Sequence, residues 1–291
     1  MTPFRFLRGW IALTALLAIA TPTAATQDEP ADGAVSTPSP GGLNPYGLPA
    51  EGFIGPTFEG PWRFHVGLNG WVPTTIKVQV KAGGESDTIR KSTSWLLDVL
   101  DYDFPINAEV RKGPFGFFVH TLFFKISGEA DGKISSERWR DKGFWIDTGL
   151  SYELGRWALG DGPRAPVLTI EPFVAARLIR QDVNVDFPRV GIEMSSEEAS
   201  TYVPIIGLRT FWDLTEHWNL HFEGDYGGFG VDDNHQTWHA LGLVGYRWPG
   251  WGAHWNLQVG YRQLRIFDLR PGGYEAKEDV GGPNIMFSVD F

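Results

Sequence analysis

Apolar and polar residues alternate along much of the chain after residue 61. In HWNLHFEGDY (217–226), tryptophan, leucine, phenylalanine and tyrosine share one face, while asparagine, histidine, glutamate and aspartate share the other. A period of two residues is typical of a β-strand with one apolar and one polar face. The pattern recurs in WRFHVGLNGW (62–71), in HWNLQVGYRQL (254–264) and at the end of the chain, in IMFSVDF (285–291). It predicts about ten strands, and eight or twelve would also fit.

The lengths of the strands and of their connections favour a barrel that crosses a membrane. Each stretch has about 10 residues, the length that a tilted strand needs to cross a bilayer. Short connections such as RKGP and DLTEH alternate with long polar ones such as SGEADGKISSERWRDK, as expected when the two ends of a barrel face different compartments. Because an open sheet edge would leave backbone groups unpaired in hydrocarbon, we predict an all-β fold, a closed antiparallel transmembrane β-barrel.

Aromatic residues support this prediction over a soluble β-sandwich. They cluster near the ends of the predicted strands, where the aromatic girdles of membrane barrels lie at the lipid interfaces. The residues that we assign to these girdles are Trp62, Trp71, Trp212, Trp218, Tyr246, Trp248, Trp255 and Tyr261. The polar faces also carry charges inside the strands, which suits a barrel lumen.

The first connection is the exception to the strand pattern. Residues 73–101 contain TIKVQV and then TSWLLDVLD, in which Trp95, Leu96, Val99 and Leu100 would share one face of a helix. Two interpretations remain open, namely an ordered outer loop and a short helix that folds into or over the lumen as a plug.

The N-terminal 60 residues differ in composition from the rest of the chain. Two arginines, the apolar run WIALTALLAIA and the small residues TPTAA predict an export signal peptide over residues 1–25. Residues 26–60 are rich in Pro, Gly, Ser and Thr, which predicts a flexible periplasmic leader. A docking segment anchored by Tyr46 and Phe53 is the alternative. The barrel would then occupy residues 61–291.

Composition excludes several kinds of chemistry. The chain of 291 residues has no cysteine, so disulfides, thiolate catalysis and cysteine zinc sites are excluded. The formal net charge is −10, and it would become −12 without residues 1–25, which carry two arginines and no acidic residue. We therefore expect no nucleic-acid partner, because a polyanion would be repelled.

The chain also resembles known proteins. The ending IxFxVxF, with Phe287, Val289 and Phe291, resembles the C-terminal signature of Gram-negative outer-membrane barrels, which implies recognition by the barrel-assembly machinery. The segments IIGLRTFWD, GDYGGFGV and VGYR, together with WVPTT and AEVRKGPFGFFVH upstream, resemble a family of largely uncharacterised Gram-negative outer-membrane β-barrel proteins. This resemblance covers roughly residues 60–291. Where relatives commonly have Asp, this chain has His120.

The polar faces of the predicted strands supply the candidate site. The residues expected to project into the lumen are Glu109, Asp147, Glu171, Arg209, Asp213, His221, Glu223, Asp225 and Arg262. One hypothesis is a structural network of arginine–carboxylate pairs that fills a small barrel. The other is a polar passage for small solutes, in which Arg209 and Arg262 face Glu223 and Asp225.

No metal site and no cofactor are expected. The stretch GDYGGFGVDDNHQTWH contains the ligand types Asp232, Asp233, Asn234, His235 and His239, but it lacks the spaced pattern of a calcium loop. We interpret this stretch as a turn, because its glycines suit backbone with positive φ.

These patterns predict an outer-membrane barrel with a structural or narrow, porin-like pore role, and no enzyme. Its expected location is the outer membrane of a Gram-negative bacterium, with the leader and the C-terminus periplasmic. Its expected partners are outer-membrane lipid, lipopolysaccharide and, during biogenesis, the assembly machinery, and its oligomeric state is left open.

One alternative is a lipid hydrolase built on His221, for which Ser151 and Ser288 also face inward. Another is an adhesion or receptor barrel that acts through its long loops, above all residues 179–202 with Glu193, Glu197 and Glu198.

Overall fold

The described part of the chain consists of antiparallel strands. A computed structural model describes residues 53–54, 60–82, 85–92, 105–131, 136–160, 165–187, 192–195, 199–230, 236–269 and 275–291. The strands are β1 (Phe53–Ile54), β2 (Trp62–Trp71), β3 (Thr75–Ala82), β4 (Glu85–Ser92), β5 (Ile106–Lys112), β6 (Phe115–Asp131), β7 (Ser136–Tyr152), β8 (Gly155–Ala158), β9 (Val167–Phe187), β10 (Ile192–Ser195), β11 (Ala199–Asp213), β12 (Trp218–Gly227), β13 (Gln236–Gly250), β14 (Ala253–Leu269) and β15 (Glu275–Asp290). None of the described residues forms a helix that is long and apolar enough to cross a membrane.

Ten of these strands close into a barrel. The ring runs β9, β11, β12, β13, β14, β15, β2, β5, β6 and β7, and β7 pairs with β9 to complete it. All pairs are antiparallel. The predicted fold class, a closed antiparallel barrel of about ten strands, is confirmed. Closure gives every ring strand a neighbour on both sides, so the ring itself has no free edge.

The shorter strands lie outside the ring of ten. Two of them continue along a ring strand beyond the point where its other neighbour stops. After a break at residues 72–74, β3 continues along β15 where β2 stops, and it forms a hairpin with β4. Residues 75–92 of the first connection are therefore a strand pair. The predicted helical face around Trp95 lies outside the described residues.

A second extension lies at the other end of the barrel. There β8 continues along β9 where β7 stops, and Phe53 and Ile54 of β1 pair with Trp157 and Arg156 of β8. Two residues of the predicted leader thus form a short strand. At the opposite end, β10 folds back along β9.

Exposure follows the predicted period of two. Along β13, buried and more exposed residues alternate from Thr237 to Trp248. Leu208, Phe222 and Val259 lie on the exposed face, and Arg209, His221 and Gln258 lie on the buried one. The barrel therefore has an apolar outer surface and a largely polar lumen. One girdle assignment is wrong: Trp71 is buried in the lumen, because it has the register of Asn69 and lies on the opposite face from Trp62.

The short turns and both ends of the barrel chain lie at one end, which we call the turn end. The turn between β13 and β14 contains only Trp251 and Gly252, with φ of 52° and 74°. Two positive φ values suit the tight turn that joins strongly twisted strands, and they favour glycine at the second position. Aromatic side chains ring this end, among them Trp62, Trp218 and Trp248.

The last strand and the first ring strand form the closing seam. β15 pairs with β2 from Asn284 and Trp71 to Asp290 and His65. One step further, Phe291 and Phe64 exchange backbone hydrogen bonds of 2.8 and 3.0 Å, and their rings stack with centroids 5.6 Å apart. The terminal aromatic is therefore part of the seam.

The apolar outer surface yields a stability prediction. Ile206 is 52% exposed in the middle of β11, so Ile206→Arg places a charge against hydrocarbon. We expect the free energy of unfolding in lipid vesicles to fall by about 2–4 kcal/mol, measured by urea titration of tryptophan fluorescence. Glu216→Arg, at an exposed position in the turn between β11 and β12, serves as control and should change it by less than about 1 kcal/mol. Equal losses in the two variants would contradict a lipid-facing β11.

Candidate functional site

A cluster of charges lies in the lumen near the turn end. We call Glu109, Arg111, Glu153, Glu171 and Arg209 the turn-end cluster. Arg111 donates hydrogen bonds to Glu109 and Glu171, and its guanidinium lies 3.7 Å from Glu153. Arg209 donates a hydrogen bond of 2.8 Å to Glu109 and lies 3.6 Å from Glu171. Each arginine therefore bridges two or more carboxylates.

The Arg209–Glu109 pair crosses the barrel. Arg209 belongs to β11 and Glu109 to β5, and the strands β9, β7 and β6 lie between them on the shorter way round. Both side chains are buried, and Arg209 is only 3% exposed. A salt bridge between such distant strands occupies the lumen instead of lining its wall.

Two phenylalanines pack against this bridge. The guanidinium of Arg209 lies 4.8 Å from the ring centroid of Phe118 and 5.6 Å from that of Phe173, within cation–π range. The two rings meet edge to face at 5.5 Å. Glycines on neighbouring strands make room for them, since a Cβ on Gly207 would lie 2.2 Å from Phe173 and one on Gly149 would lie 2.7 Å from Phe118.

A second cluster lies further along the barrel. We call Asp147, Arg177, Glu223, Asp225 and His239 the mid-barrel cluster. Arg177 donates two hydrogen bonds of 2.8 Å to Asp147 and one of 2.9 Å to Asp225. It is 1% exposed, so these contacts compensate a charge that is fully removed from water.

The remaining carboxylate of this cluster has weaker partners. Glu223 lies 3.7 Å from His239 Nδ1 and 3.8 Å from His221 Nε2, beyond hydrogen-bond length. Within the described part of the chain, Glu223 has no ion pair with an arginine or a lysine. It lines a small cavity of about 30 Å³, which Arg262 and His120 also line.

A group of hydrogen-bonded amide side chains also lines the wall formed by β12–β15 and β2. Asn219 and Asn256 are hydrogen-bonded at 3.1 Å, and Gln258 donates to Asn219 at 3.0 Å. Asn284 donates to Asn69 across the closing seam.

The structure places every predicted lumen residue on the inner face. Asp213 pairs with Arg247 at 3.0 Å, and the ring of His221 stacks on Phe211 at 4.5 Å. We predicted that Arg209 and Arg262 face Glu223 and Asp225. The observed ion pairs differ from this prediction. Arg209 pairs with Glu109 and Glu171, and Asp225 pairs with Arg177.

Four members of the two clusters were missing from the predicted lumen set. They are Arg111, Glu153, Arg177 and His239. Arg177 has the same register as Glu171 and Phe173 along β9, so the period of two assigns it to the lumen once Glu171 is assigned there. His239 lies opposite Asp225 in the β12–β13 pairing, a contact that no pattern within one strand reveals.

The lumen also bears on the metal and hydrolase hypotheses. Among the described residues, one group could supply three metal ligands, namely Glu223, Asp225 and His239, whose ligand atoms lie within 4.8 Å of one another. For the hydrolase, the Ser151 hydroxyl lies 3.4 Å from Arg111, and the Ser288 hydroxyl is buried with no hydrogen bond to a described residue. Neither serine is hydrogen-bonded to His221.

Comparisons with known proteins give only distant likenesses. No protein-family model and no curated protein matches the chain. Among solved structures, Neisserial surface protein A (NspA) has 12% identity over 76% of this chain and 96% of its own, with a TM-score of 0.30. The P. putida toluene transporter TodX has 9% identity over 79% of this chain and 90% of its own, with a TM-score of 0.24. The CymD monoaromatic hydrocarbon channel has 7% identity over 86% and 98%, with a TM-score of 0.21. At these values the likenesses assign neither a family nor a function.

The mid-barrel cluster yields a second stability prediction. Arg177→Met removes one cation and leaves Asp147 and Asp225 buried without their main partner. We expect the free energy of unfolding in lipid vesicles to fall by about 3–5 kcal/mol. The control is Arg265→Met. The Arg265 side chain is 39% exposed in its pair with Asp279, so the free energy of unfolding of this variant should fall by at most about 1 kcal/mol. A loss in Arg177→Met no larger than in the control would show that the buried pair does not stabilise the fold.

Proposed function

We propose that the chain is an outer-membrane β-barrel with a structural role and a lumen filled by side chains. The apolar outer surface, the closed ring and the aromatic residues at the turn end support insertion in a membrane. The observation that carries the filled lumen is the Arg209–Glu109 salt bridge, which crosses the barrel between non-neighbouring strands.

Burial and packing at the same level support a closed lumen over a pore. Phe118 is 2% exposed and Glu171 is 1% exposed, whereas side chains that line an open channel would be wet. Arg111, which lies on β5, donates hydrogen bonds to both Glu109 and Glu171. The plane that contains these side chains therefore leaves little room for a hydrated solute.

The proposed location is the outer membrane, with the turn end in the periplasm. Bacterial barrels of this class have short periplasmic turns and longer extracellular loops, and the short turns of this chain lie beside Phe64 and Phe291. The proposed partners are outer-membrane lipid, lipopolysaccharide and the barrel-assembly machinery, which the C-terminal resemblance implies. The proposal assigns no catalytic step to the chain. For the adhesion alternative, Glu197 and Glu198 lie outside the described residues.

Conductance tests the filled lumen. The purified protein in a planar lipid bilayer should give no stepwise current, whereas the double variant Arg209→Ala, Phe173→Ala should give steps, because it removes the crossing side chain and one ring packed on it. Leu208→Ala, which alters the outer face of the same strand, serves as control and should stay silent. Folding of each variant is checked by heat-modifiable migration on semi-native gels.

Two results would count against the filled lumen. Reproducible unit steps from the unaltered protein would show an open pore. A folded double variant that is as silent as the control would show that Arg209 and Phe173 do not close the lumen.

Single cysteines test the orientation, since the chain has none of its own. Phe229→Cys lies after β12 at the end opposite the short turns, where Phe229 is 57% exposed, and Thr215→Cys lies in the exposed turn between β11 and β12. On intact cells, a membrane-impermeant maleimide should label the first variant, and it should label the second only after the outer membrane is permeabilised. The reverse labelling pattern would invert the proposed orientation.

A further inference from the structure

The mid-barrel cluster contains ligand atoms at metal-site spacing. His239 Nδ1 lies 3.0 Å from Asp225 Oδ2 and 3.7 Å from Glu223 Oε1. In a tetrahedral zinc site with bonds of about 2.0–2.2 Å, neighbouring ligand atoms lie about 3.3 Å apart. We propose that Glu223, Asp225 and His239 bind a first-row transition-metal dication, with Zn²⁺ as the best match. This site is separate from the salt bridge on which the filled lumen rests.

A second histidine points to the same ligand. His221 is 7% exposed, and neither of its ring nitrogens is hydrogen-bonded to a described residue. Its Nε2 lies 3.8 Å from Glu223 Oε2, so an unpartnered buried imidazole is directed at the cluster. Leaving such a group without a partner is unfavourable, and a metal ion held by Glu223 lies within its reach.

The cavity beside the cluster provides space for the ion and for a water ligand. Glu223 and His239 both line it. A bound ion would replace the hydrogen bond between His239 Nδ1 and Asp225 Oδ2, and the Oδ1 atom of Asp225 is buried without a hydrogen bond to a described residue. Three protein ligands with water in the fourth position are the arrangement found in zinc sites that keep an open position.

The local charges allow a dication. Arg177 is neutralised mainly by Asp147, with which it forms two hydrogen bonds, and it shares Asp225 with His239. Glu223 has no arginine or lysine within ion-pair distance among the described residues. Arg262 lines the same cavity and opposes a cation there. Arg209 also interacts electrostatically with Glu223, but it is paired with Glu109 and Glu171 of the turn-end cluster. The three carboxylates Asp147, Glu223 and Asp225 therefore face Arg177 and Arg262, which leaves one net negative charge.

The ligand types select the metal. Imidazole nitrogen favours zinc, copper, nickel and iron, whereas calcium and magnesium prefer six or more oxygens. One His, one Asp and one Glu, with a second His close by, therefore favour a small tetrahedral ion over calcium. Neutral histidines and ionised carboxylates are needed for binding, so affinity should fall at acidic pH.

Zinc binding is measured on the untagged, chelator-stripped protein in detergent. Isothermal titration with Zn²⁺ should give one site per chain, and Co²⁺ in its place should give the visible absorption of a four-coordinate site. His239→Ala should weaken binding by at least about tenfold, since loss of even a supporting residue has that effect. His254→Ala, which removes an exposed histidine at the turn end, is the matched control and should bind as the unaltered protein does.

A variant that preserves shape covers the case in which His239→Ala does not fold. Glu223→Gln keeps the volume of the side chain and removes its charge, and it should also bind at least about tenfold more weakly. The proposal is overturned if the folded, stripped protein binds no Zn²⁺, or if the folded ligand variants bind it as tightly as His254→Ala. Calcium binding in place of zinc would equally overturn it.

Discussion

The pairing of every backbone N–H and C=O inside the sheet is the constraint on which this structure depends. In hydrocarbon no water can satisfy an open edge, so the last strand must meet the first. In this chain β15 meets β2, and Phe291 stacks on Phe64 where the seam ends. Closure then assigns one face of each strand to lipid and the other to a confined interior. The chemistry of the lumen follows from this single requirement.

A confined interior that carries charges must pair them or leave room for something else. At the turn end the pairing is dense, because Arg111 and Arg209 share Glu109 and Glu171 and the rings of Phe118 and Phe173 cover the bridge. Glycines at 149 and 207 give the rings the space that a Cβ would take. Small and large residues on facing strands therefore produce a closed layer from one wall to the other.

The sequence predicts the ring and its faces because both depend on a local period of two. His221, Glu223 and Asp225 lie inside as their alternation with Leu220 and Phe222 indicates, and the same parity would have placed Trp71 inside. Trp71 was assigned to the girdle because it lies near a strand end, although its register in the strand indicates the lumen. That assignment was wrong. Arg177 was missed because its segment, VLTIEPFVAARL, has apolar residues on both faces and therefore no clear register.

A local sequence pattern does not predict which lumen residues contact one another. Arg209 finds Glu109 on a strand that is far away in the ring, and this contact depends on strand tilt and stagger, which closure fixes collectively. A break within a strand also hides contacts from a sequence pattern. At residues 72–74 the chain passes from β2 to β3, and both strands pair with β15.

The two clusters differ in how completely their charges are satisfied, and this difference separates a filling role from a binding role. In the turn-end cluster every carboxylate contacts an arginine. In the mid-barrel cluster Arg177 pairs with Asp147 and Asp225. Among the described basic residues, only His221 and His239 lie within 4 Å of Glu223, and Arg262 has no ion pair with a described residue. A barrel selected only for filling would gain by pairing Glu223 with Arg262 directly. Both line the same small cavity without an ion pair between them, and the ring nitrogens of His221 have no hydrogen bond to a described residue, as expected if an ion binds between side chains that the closed sheet already fixes.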